Sequence, residues 1–240
     1  MNQRFIIKGG KKLSGTIEVK GAKNAALKLF AAALLIRKPV IFKNVPEVED
    51  VSRMAELLKD LGAKVEHLRY SEYKITADKI NSTTLNPEIA KKLRASIVLT
   101  GPLLARMGHV VFPHPGGCVI GERPIDVFID GFKTIGAQFS DNGNLYEISA
   151  KKLKGSPFVF HNVSVTGTET LMMTAVLAKG TTILKNCACE PEVESLADFL
   201  NLCGAKIKGA GTHTIVINGV SHLRGGTYRT IPDRIEAGCF

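Results

Sequence analysis

Met54–Glu66 reads MAELLKDLGAKVE, Phe128–Ser140 reads FIDGFKTIGAQFS and Leu196–Lys208 reads LADFLNLCGAKIK. Aligned on Gly62, Gly136 and Gly204, the three segments carry large apolar residues eight and four positions earlier: Met54 and Leu58, Phe128 and Phe132, Leu196 and Leu200. Leu61, Ile135 or Cys203 stands just before the glycine. This is the stripe of an amphipathic helix that needs a sheet to cover it. Each glycine stands where a left-handed C-terminal cap is wanted. Asp50, Asp126 and Glu194 lie in or beside the first turns, where negative charge suits the helix dipole.

Working outward, each Gly-Ala is followed by a strand, a polar turn and a second strand. The pairs are Lys64–His67 with Tyr73–Thr76, Gln138–Ser140 with Leu145–Ser149, and Lys206–Lys208 with Thr214–Ile217. Turns such as Asp141-Asn142-Gly143-Asn144 and Gly209-Ala210-Gly211 favour hairpins. Before each stripe lies a helix that is apolar nearly all round and so belongs inside: 25–36, 97–105 and 169–178. Each leads into a strand, at Val40–Phe42, Val110–Phe112 and Thr182–Leu184, and further strands are expected ahead of the first and third helices, at Thr16–Val19 and Phe158–Phe160. The unit is close to β-α-β-α-β-β, repeated three times. Three in-register copies argue against chance. The fold class is therefore α/β, with right-handed crossovers between parallel strands and one three-repeat domain over residues 21–228. Residues 1–20 and 229–240 do not fit the repeat and are expected to belong to a second domain. The pattern predicts a helix starting at Ile235 just as the chain stops, so a longer protein is expected.

The chain has 240 residues, 45% of them apolar, enough for a substantial core. No apolar run approaches a membrane span, and the start, MNQRFIIK, lacks the apolar core of a signal peptide. Neither membrane association nor export is expected. Five cysteines (118, 187, 189, 203, 239) form no disulfide ladder, which fits a reducing, cytoplasmic setting. Cys187 and Cys189 form a C-x-C pair without further ligands at zinc spacing, so no metal is expected. Lys and Arg exceed Asp and Glu, 32 to 22, for a net charge of +10. The surplus is dispersed in pairs such as Lys11-Lys12, Lys91-Lys92 and Lys151-Lys152, a pattern of local anion pockets more than of a nucleic-acid track.

Two places invite chemistry. Between a strand and the second amphipathic helix runs Pro113-His114-Pro115-Gly116-Gly117-Cys118-Val119-Ile120-Gly121-Glu122-Arg123-Pro124. It reads either as a plain Gly-rich turn with an incidental cysteine or as a lid with an exposed thiol that nearby cations activate. A Cys118–His114 dyad is a third option. The second place is Gly21-Ala22-Lys23-Asn24, which opens the first buried helix. Free N–H groups at a helix start bind anions, and Lys23 adds a charge. Asn24 reads equally well as the N-cap. Arg94 and Arg123, each near a helix start, could clamp phosphate or lie solvated at the surface.

Taken in order, Gly21-Ala22-Lys23-Asn24-Ala25-Ala26, Arg94-Ala95-Ser96, Pro115–Gly121, Arg123-Pro124-Ile125-Asp126, Val163–Glu169 and Pro232-Asp233-Arg234-Ile235-Glu236 give the chain a close resemblance, over all 240 residues, to the UDP-N-acetylglucosamine enolpyruvyl transferase family. The fold relative of the shikimate pathway lacks the Gly-Gly-Cys loop. The resemblance implies an inside-out α/β barrel and an addition–elimination reaction between phosphoenolpyruvate and the 3′-hydroxyl of UDP-N-acetylglucosamine, with no cofactor. It implies that Cys118 is the proton donor, that Lys23 and Asn24 contact phosphoenolpyruvate, that Arg123 meets its phosphate and Arg94 the nucleotide sugar. Pro124, Ile125, Asp126 and Val127 would line the uridine side, with Asn162, Val163, Ser164 and Val165 opposite. Asn162 departs from the Lys that some members carry. The family's carboxylate facing the 3′-hydroxyl would lie in a C-terminal domain beyond Phe240, so this chain alone is expected not to turn over. The competing readings are a polyanion- or RNA-binding module on the same scaffold and a cysteine hydrolase using His114.

Overall fold

The computed structural model describes residues 4–12, 14–114 and 125–240. The first unit contains α1 (Lys23–Ala32), prolonged by a 3-10 turn over Ala33–Leu35, then β1 (Val40–Lys43), α2 (Glu49–Asp60), β2 (Lys64–Arg69) and β3 (Glu72–Thr76). The second contains α3 (Pro87–Ala90), a 3-10 segment Arg94–Leu99 running into α4 (Thr100–Met107), β4 (His109–Pro113), α5 (Asp126–Thr134), β5 (Gln138–Asp141) and β6 (Leu145–Ser149). The third contains β7 (Pro157–Val159), α6 (Val165–Ala175), β8 (Thr181–Lys185), α7 (Pro191–Leu202), β9 (Lys206–Lys208) and β10 (Thr214–Asn218). β11 (Thr227–Arg229) and α8 (Arg234–Ala237) follow.

The threefold repeat is built into the hydrogen bonds. Gly62, Gly136 and Gly204 have φ of 105°, 97° and 102°. In each case the N–H of the following alanine reaches back 2.9 Å to a carbonyl of the stripe: Ala63 to Leu58, Ala137 to Phe132, Ala205 to Leu200. This is the 6→1 bond of a Schellman cap, which satisfies a carbonyl the helix would otherwise leave bare. The Gly-Ala pair therefore both ends the helix and aims the chain into the hairpin.

Each unit also makes the same sheet. β8 pairs in parallel with β7 and antiparallel with β10, which pairs with β9. β4 pairs antiparallel with β6, which pairs with β5, and its other edge bridges Thr84 in parallel. β1 pairs antiparallel with β3, which pairs with β2.

The parallel partner of β1 differs from expectation. No strand forms at Thr16–Val19; β11 takes that edge, with Ile41, Phe42 and Lys43 opposite Thr227, Tyr228 and Arg229. The backbone just after residue 19 is committed elsewhere. Gly21 bridges Pro232, the Ala22 N–H donates to the Ile231 carbonyl at 2.7 Å, and the Asp233 N–H donates to the Lys20 carbonyl at 2.8 Å. A Cβ at Gly21 would collide with the Asn44 carbonyl oxygen, so this close crossing needs glycine.

The helices α1, α4 and α6 fill the interior, and the sheets lie outside them. Phe30, Leu34, Leu99, Leu104, Met172 and Met173 are fully buried. Burying a side chain of this size contributes about 1.5–3 kcal/mol. α6 packs on α4, α5 and α7, and α1 packs on α2 and α7. Phe42 joins the sheet to this core, stacking on Phe30 and meeting Phe199 edge-on at 5.1 Å. Among the described residues three charged side chains break the apolar interior: Lys28 on α1, Glu169 on α6 and Glu192 on α7. Among the described residues no helix is long and apolar enough to cross a membrane.

Candidate active site

The starts of the three buried helical segments converge. Lys23, Asn24, Leu27 and Lys28 of α1, Lys92, Leu93, Arg94, Ala95 and Ile97 at the second unit's 3-10 segment, and Ser164, Val165 and Thr166 at the start of α6 line one cleft of about 420 Å³. Asp50 and Phe128, from α2 and α5, complete it. Among the described residues four cations and one carboxylate face this space. Helix starts add partial positive charge, so the cleft is suited to an anion with more than one negative charge.

Local structure places each group. α6 begins at Val165 because Ser164 caps it, its Oγ accepting from the Gly167 N–H at 3.1 Å. α1 begins at Lys23 with Ala22 at the N-cap position and no side-chain cap. Asn24 is thus inside the first turn and is not the cap. The N–H of Lys23 is not free either: it donates to Asp233 Oδ2 at 3.2 Å. Asp233 also caps α8, its Oδ1 accepting from the Ile235 and Glu236 N–H groups. What α1 offers the cleft is therefore the side chains of Lys23 and Asn24 more than its first N–H.

Lys23 Nζ lies 2.9 Å from Asp50 Oδ2, and both side chains are about two-fifths exposed. Such a pair is worth little to stability, but it fixes the ammonium at the rim. Deeper, Lys28 Nζ lies 3.1 Å from Glu169 Oε2, both side chains nearly or wholly buried. Neither Glu169 oxygen receives a well-aligned hydrogen bond from the described residues. Burial pushes the Glu169 carboxyl up to about 7, and the positive charge of Lys28 only partly offsets this. Beyond Glu169, the buried Glu192 is held by Arg234 Nε at 3.2 Å.

Of the residues singled out in the sequence, the cleft gathers Lys23, Asn24, Arg94, Ser164 and Val165. Ile125 is buried at the start of α5, Asp126 is exposed, Val127 is half-buried, and none of the three lines the cleft. Asn162 is exposed, and Val163 lines a neighbouring hollow with Cys187, Cys189, Glu190, Pro191, His213 and Arg234. Cys118, Arg123 and Pro124 lie outside the described residues. His114, on the near flank of that loop, stacks on Tyr146 at 4.0 Å, with Nε2 3.8 Å from Asp141. Its suggested dyad partner, Cys118, lies outside the described residues. Lys28, Lys92, Asp50, Phe128 and Thr166 were not singled out as cleft residues. Lys28 carried a signal: it lies four residues after Asn24, on the same face of the helix, in an otherwise apolar run. Among the described residues no group of three or more His, Cys, Asp or Glu could hold a metal.

The family model for EPSP synthase (3-phosphoshikimate 1-carboxyvinyltransferase) matches residues 7–240. The chain belongs to this family. Within it, the chain is 47% identical over 238 residues to a UDP-N-acetylglucosamine 1-carboxyvinyltransferase of Coxiella burnetii, covering 99% of this chain and 55% of that protein. It is 48% identical over 236 residues to UDP-N-acetylglucosamine 1-carboxyvinyltransferase 1 of Carboxydothermus hydrogenoformans, covering 98% and 56%. The chain thus spans about half the length of the curated relatives it matches. In three dimensions it resembles the enolpyruvyl transferase NikO from Streptomyces tendae, with a TM-score of 0.83 at 22% identity over 95% of this chain and 54% of that one. It also resembles an EPSP synthase from Acinetobacter baumannii, with a TM-score of 0.74 at 18% identity over 93% and 51%. These likenesses show the enolpyruvyl transferase fold of the family, in agreement with the inside-out arrangement of helices and sheets.

Proposed function

We propose that the chain forms one wall of an enolpyruvyl transferase that moves the enolpyruvyl group of phosphoenolpyruvate to the 3′-hydroxyl of UDP-N-acetylglucosamine. The observation that carries this reading is the cleft, where three helical starts meet four cations. Both substrates are polyanions, and the relatives at 47–48% identity are named for this transfer. The relatives do not support the polyanion- or RNA-binding alternative.

In the first step the sugar 3′-hydroxyl gives its proton to the carboxylate of the second domain and its oxygen adds to C2 of phosphoenolpyruvate, as C3 takes a proton from the Cys118 thiol. In the second, phosphate leaves C2 and a proton leaves C3, which restores the double bond as an enol ether. General acid catalysis of this kind gives roughly 10²–10⁴-fold. Lys23 and Asn24 hold phosphoenolpyruvate, Arg123 its phosphate, and Arg94 the nucleotide sugar, where fixed cations act most strongly once water is excluded. Pro124, Ile125, Asp126 and Val127 form the uridine side, with Asn162, Val163, Ser164 and Val165 opposite. The work belongs in the cytoplasm, at the first committed step of peptidoglycan synthesis, and so serves cell shape and division.

Residues 21–228 form the three-repeat domain, and residues 1–20 and 229–240 belong to the second domain of the full enzyme. The exposure of Phe5, Ile6 and Ile7, 97%, 77% and 86%, supports that division. The carboxylate that faces the 3′-hydroxyl lies in that second domain, so the 240-residue chain binds without turnover.

The test is intact-mass spectrometry after exposure to the epoxide fosfomycin. One adduct, mapped to Cys118 and promoted by UDP-N-acetylglucosamine, is the expected result. Absence of an adduct together with RNA binding of steep salt dependence would overturn the enzyme reading. Sustained phosphate release by the 240-residue chain would overturn the claim that it does not turn over.

A further inference from the structure

We propose that Lys28 is a further substrate-binding cation of the cleft, touching the anionic substrate from the floor, and that Glu169 behind it is a positioning residue that sets how much of that charge the substrate feels. The proposal rests on the reading that the cleft takes an anionic substrate. Three observations lead to it. Asn24 and Lys28 stand four residues apart on α1, so their side chains share one face, and both line the cleft. Lys28 lies one turn deeper than Asn24. Its ammonium is held 3.1 Å from Glu169 Oε2, on the far side of the cleft wall, and Glu169 itself is wholly buried and not among the lining residues. An ammonium has three donors, and Glu169 is its only ion-pair partner among the described residues.

A buried pair of this kind is a poor way to stabilise a core, because desolvation cancels most of the attraction. An opening onto an anion site gives it a use. With Glu169 ionised, the pair is neutral and the anion sees little of Lys28. With Glu169 protonated, the whole charge faces the cleft. The carboxyl is pushed up to about 7 by burial, so the change falls near neutrality. The groups that face Glu169 are Lys28 from α1 and, from the start of α7, Glu190 and Glu192. Glu192 is tied in turn to Arg234 of α8. Lys23 on the same helix and Asp50, Lys92 and Arg94 from other elements also line the cleft, and among the described residues no histidine does.

Sulfate is a suitable probe, since it stays a dianion throughout pH 6–8. Its binding to the 240-residue chain would be followed by calorimetry at constant ionic strength. Wild type should bind about fivefold more tightly at pH 6 than at pH 8, as a proton is taken up with the anion. Glu169→Gln should bind at pH 8 as wild type does at pH 6 and lose the pH dependence. Lys28→Met/Glu169→Gln, which leaves no unpaired buried charge, should bind about tenfold more weakly than Glu169→Gln, the order of one charge-assisted hydrogen bond. Lys28→Arg should retain binding. If the double variant does not fold, the pH profiles of wild type and Glu169→Gln decide alone, because a purely structural pair would leave both flat. If Lys23→Met abolishes binding while the double variant and the pH profile are unaffected, the cleft reading stands and this proposal falls. If wild type binds neither sulfate nor UDP-N-acetylglucosamine, the cleft reading falls and this proposal with it.

Discussion

Alanine at each of the three aligned glycines makes an internal control, because the backbone is the same and the surroundings are not. With φ between 97° and 105° at all three, a Cβ carries the conformational cost of a left-handed residue, about 1–2 kcal/mol. At Gly204 nothing lies within 4 Å of that Cβ, and at Gly136 only the Lys152 carbonyl oxygen approaches, at 3.5 Å. Those two substitutions should cost the conformational term alone. At Gly62 the Cβ would stand 2.9 Å from the backbone N, Cγ and Nδ2 of Asn81. Asn81 cannot retreat cheaply, since its N–H donates to the Leu61 carbonyl at 2.9 Å. Overpacking adds about 1–3 kcal/mol, so Gly62→Ala should be clearly the most damaging. Urea unfolding followed by circular dichroism measures this, with the midpoints compared at unchanged slope. Equal losses at Gly62 and Gly204 would refute the packing of Asn81 against the first cap. No loss at Gly204 would refute the left-handed caps themselves.

Two further outcomes follow from buried ionisable groups. The Glu169 carboxyl is raised in the folded chain to about 7 from an ordinary 4.5, so the folded state holds its proton longer than the unfolded one. The resulting penalty is absent below about pH 4.5, grows as pH rises towards 7 and then levels off, so Glu169→Gln should gain about 2–3 kcal/mol on wild type between pH 5 and pH 8; a pH-independent difference in urea midpoints would contradict this. Burial pushes the Cys187 thiol up to about 12 and Cys203 up to about 11, whereas Cys189 is half-buried and Cys239 exposed. Iodoacetamide at pH 8 should therefore label Cys189 and Cys239 in the native chain and spare Cys187 and Cys203 until urea is added, as peptide mapping would show; rapid native labelling of Cys203 would count against the packing at the third cap.

The repeat was legible because its signal is local. Met54, Leu58 and Leu61 with Gly62-Ala63 specify a stripe, a cap and a hairpin within a dozen residues, and the structure forms all three copies. The edge of the first sheet was not legible. Thr16–Val19 has the pattern of a strand, but which segment lies beside β1 depends on the pairing of residues 20–22 with 231–233, over two hundred positions away. The same holds for Asn24, whose composition suits a cap; the turn through Gly21 and Ala22 starts the helix before it. In the cleft, Lys23, Asn24 and Arg94 were found because each stands at a helix start, a place that sequence marks, whereas Ser164 and Val165 were reached through the family resemblance. Lys28 and Glu169 each look like a flaw in an apolar helix until α1 and α6 are set side by side. A buried pair leaves its trace in two separate patterns, and neither alone names the other.

The parallel edge of the first sheet has a consequence for how the chain is made. Asn44, at the end of β1, donates through Nδ2 to the Thr230 carbonyl across 186 positions. Closing so long a loop is slow, because its entropy is lost before the contact is gained. During synthesis the second and third sheets can form from segments that emerge together. The first sheet, although made earliest, stays one strand short until Thr227–Arg229 leave the ribosome. The oldest edge of the domain is thus the last to be sealed, and until then β1 presents bare backbone groups to any strand nearby.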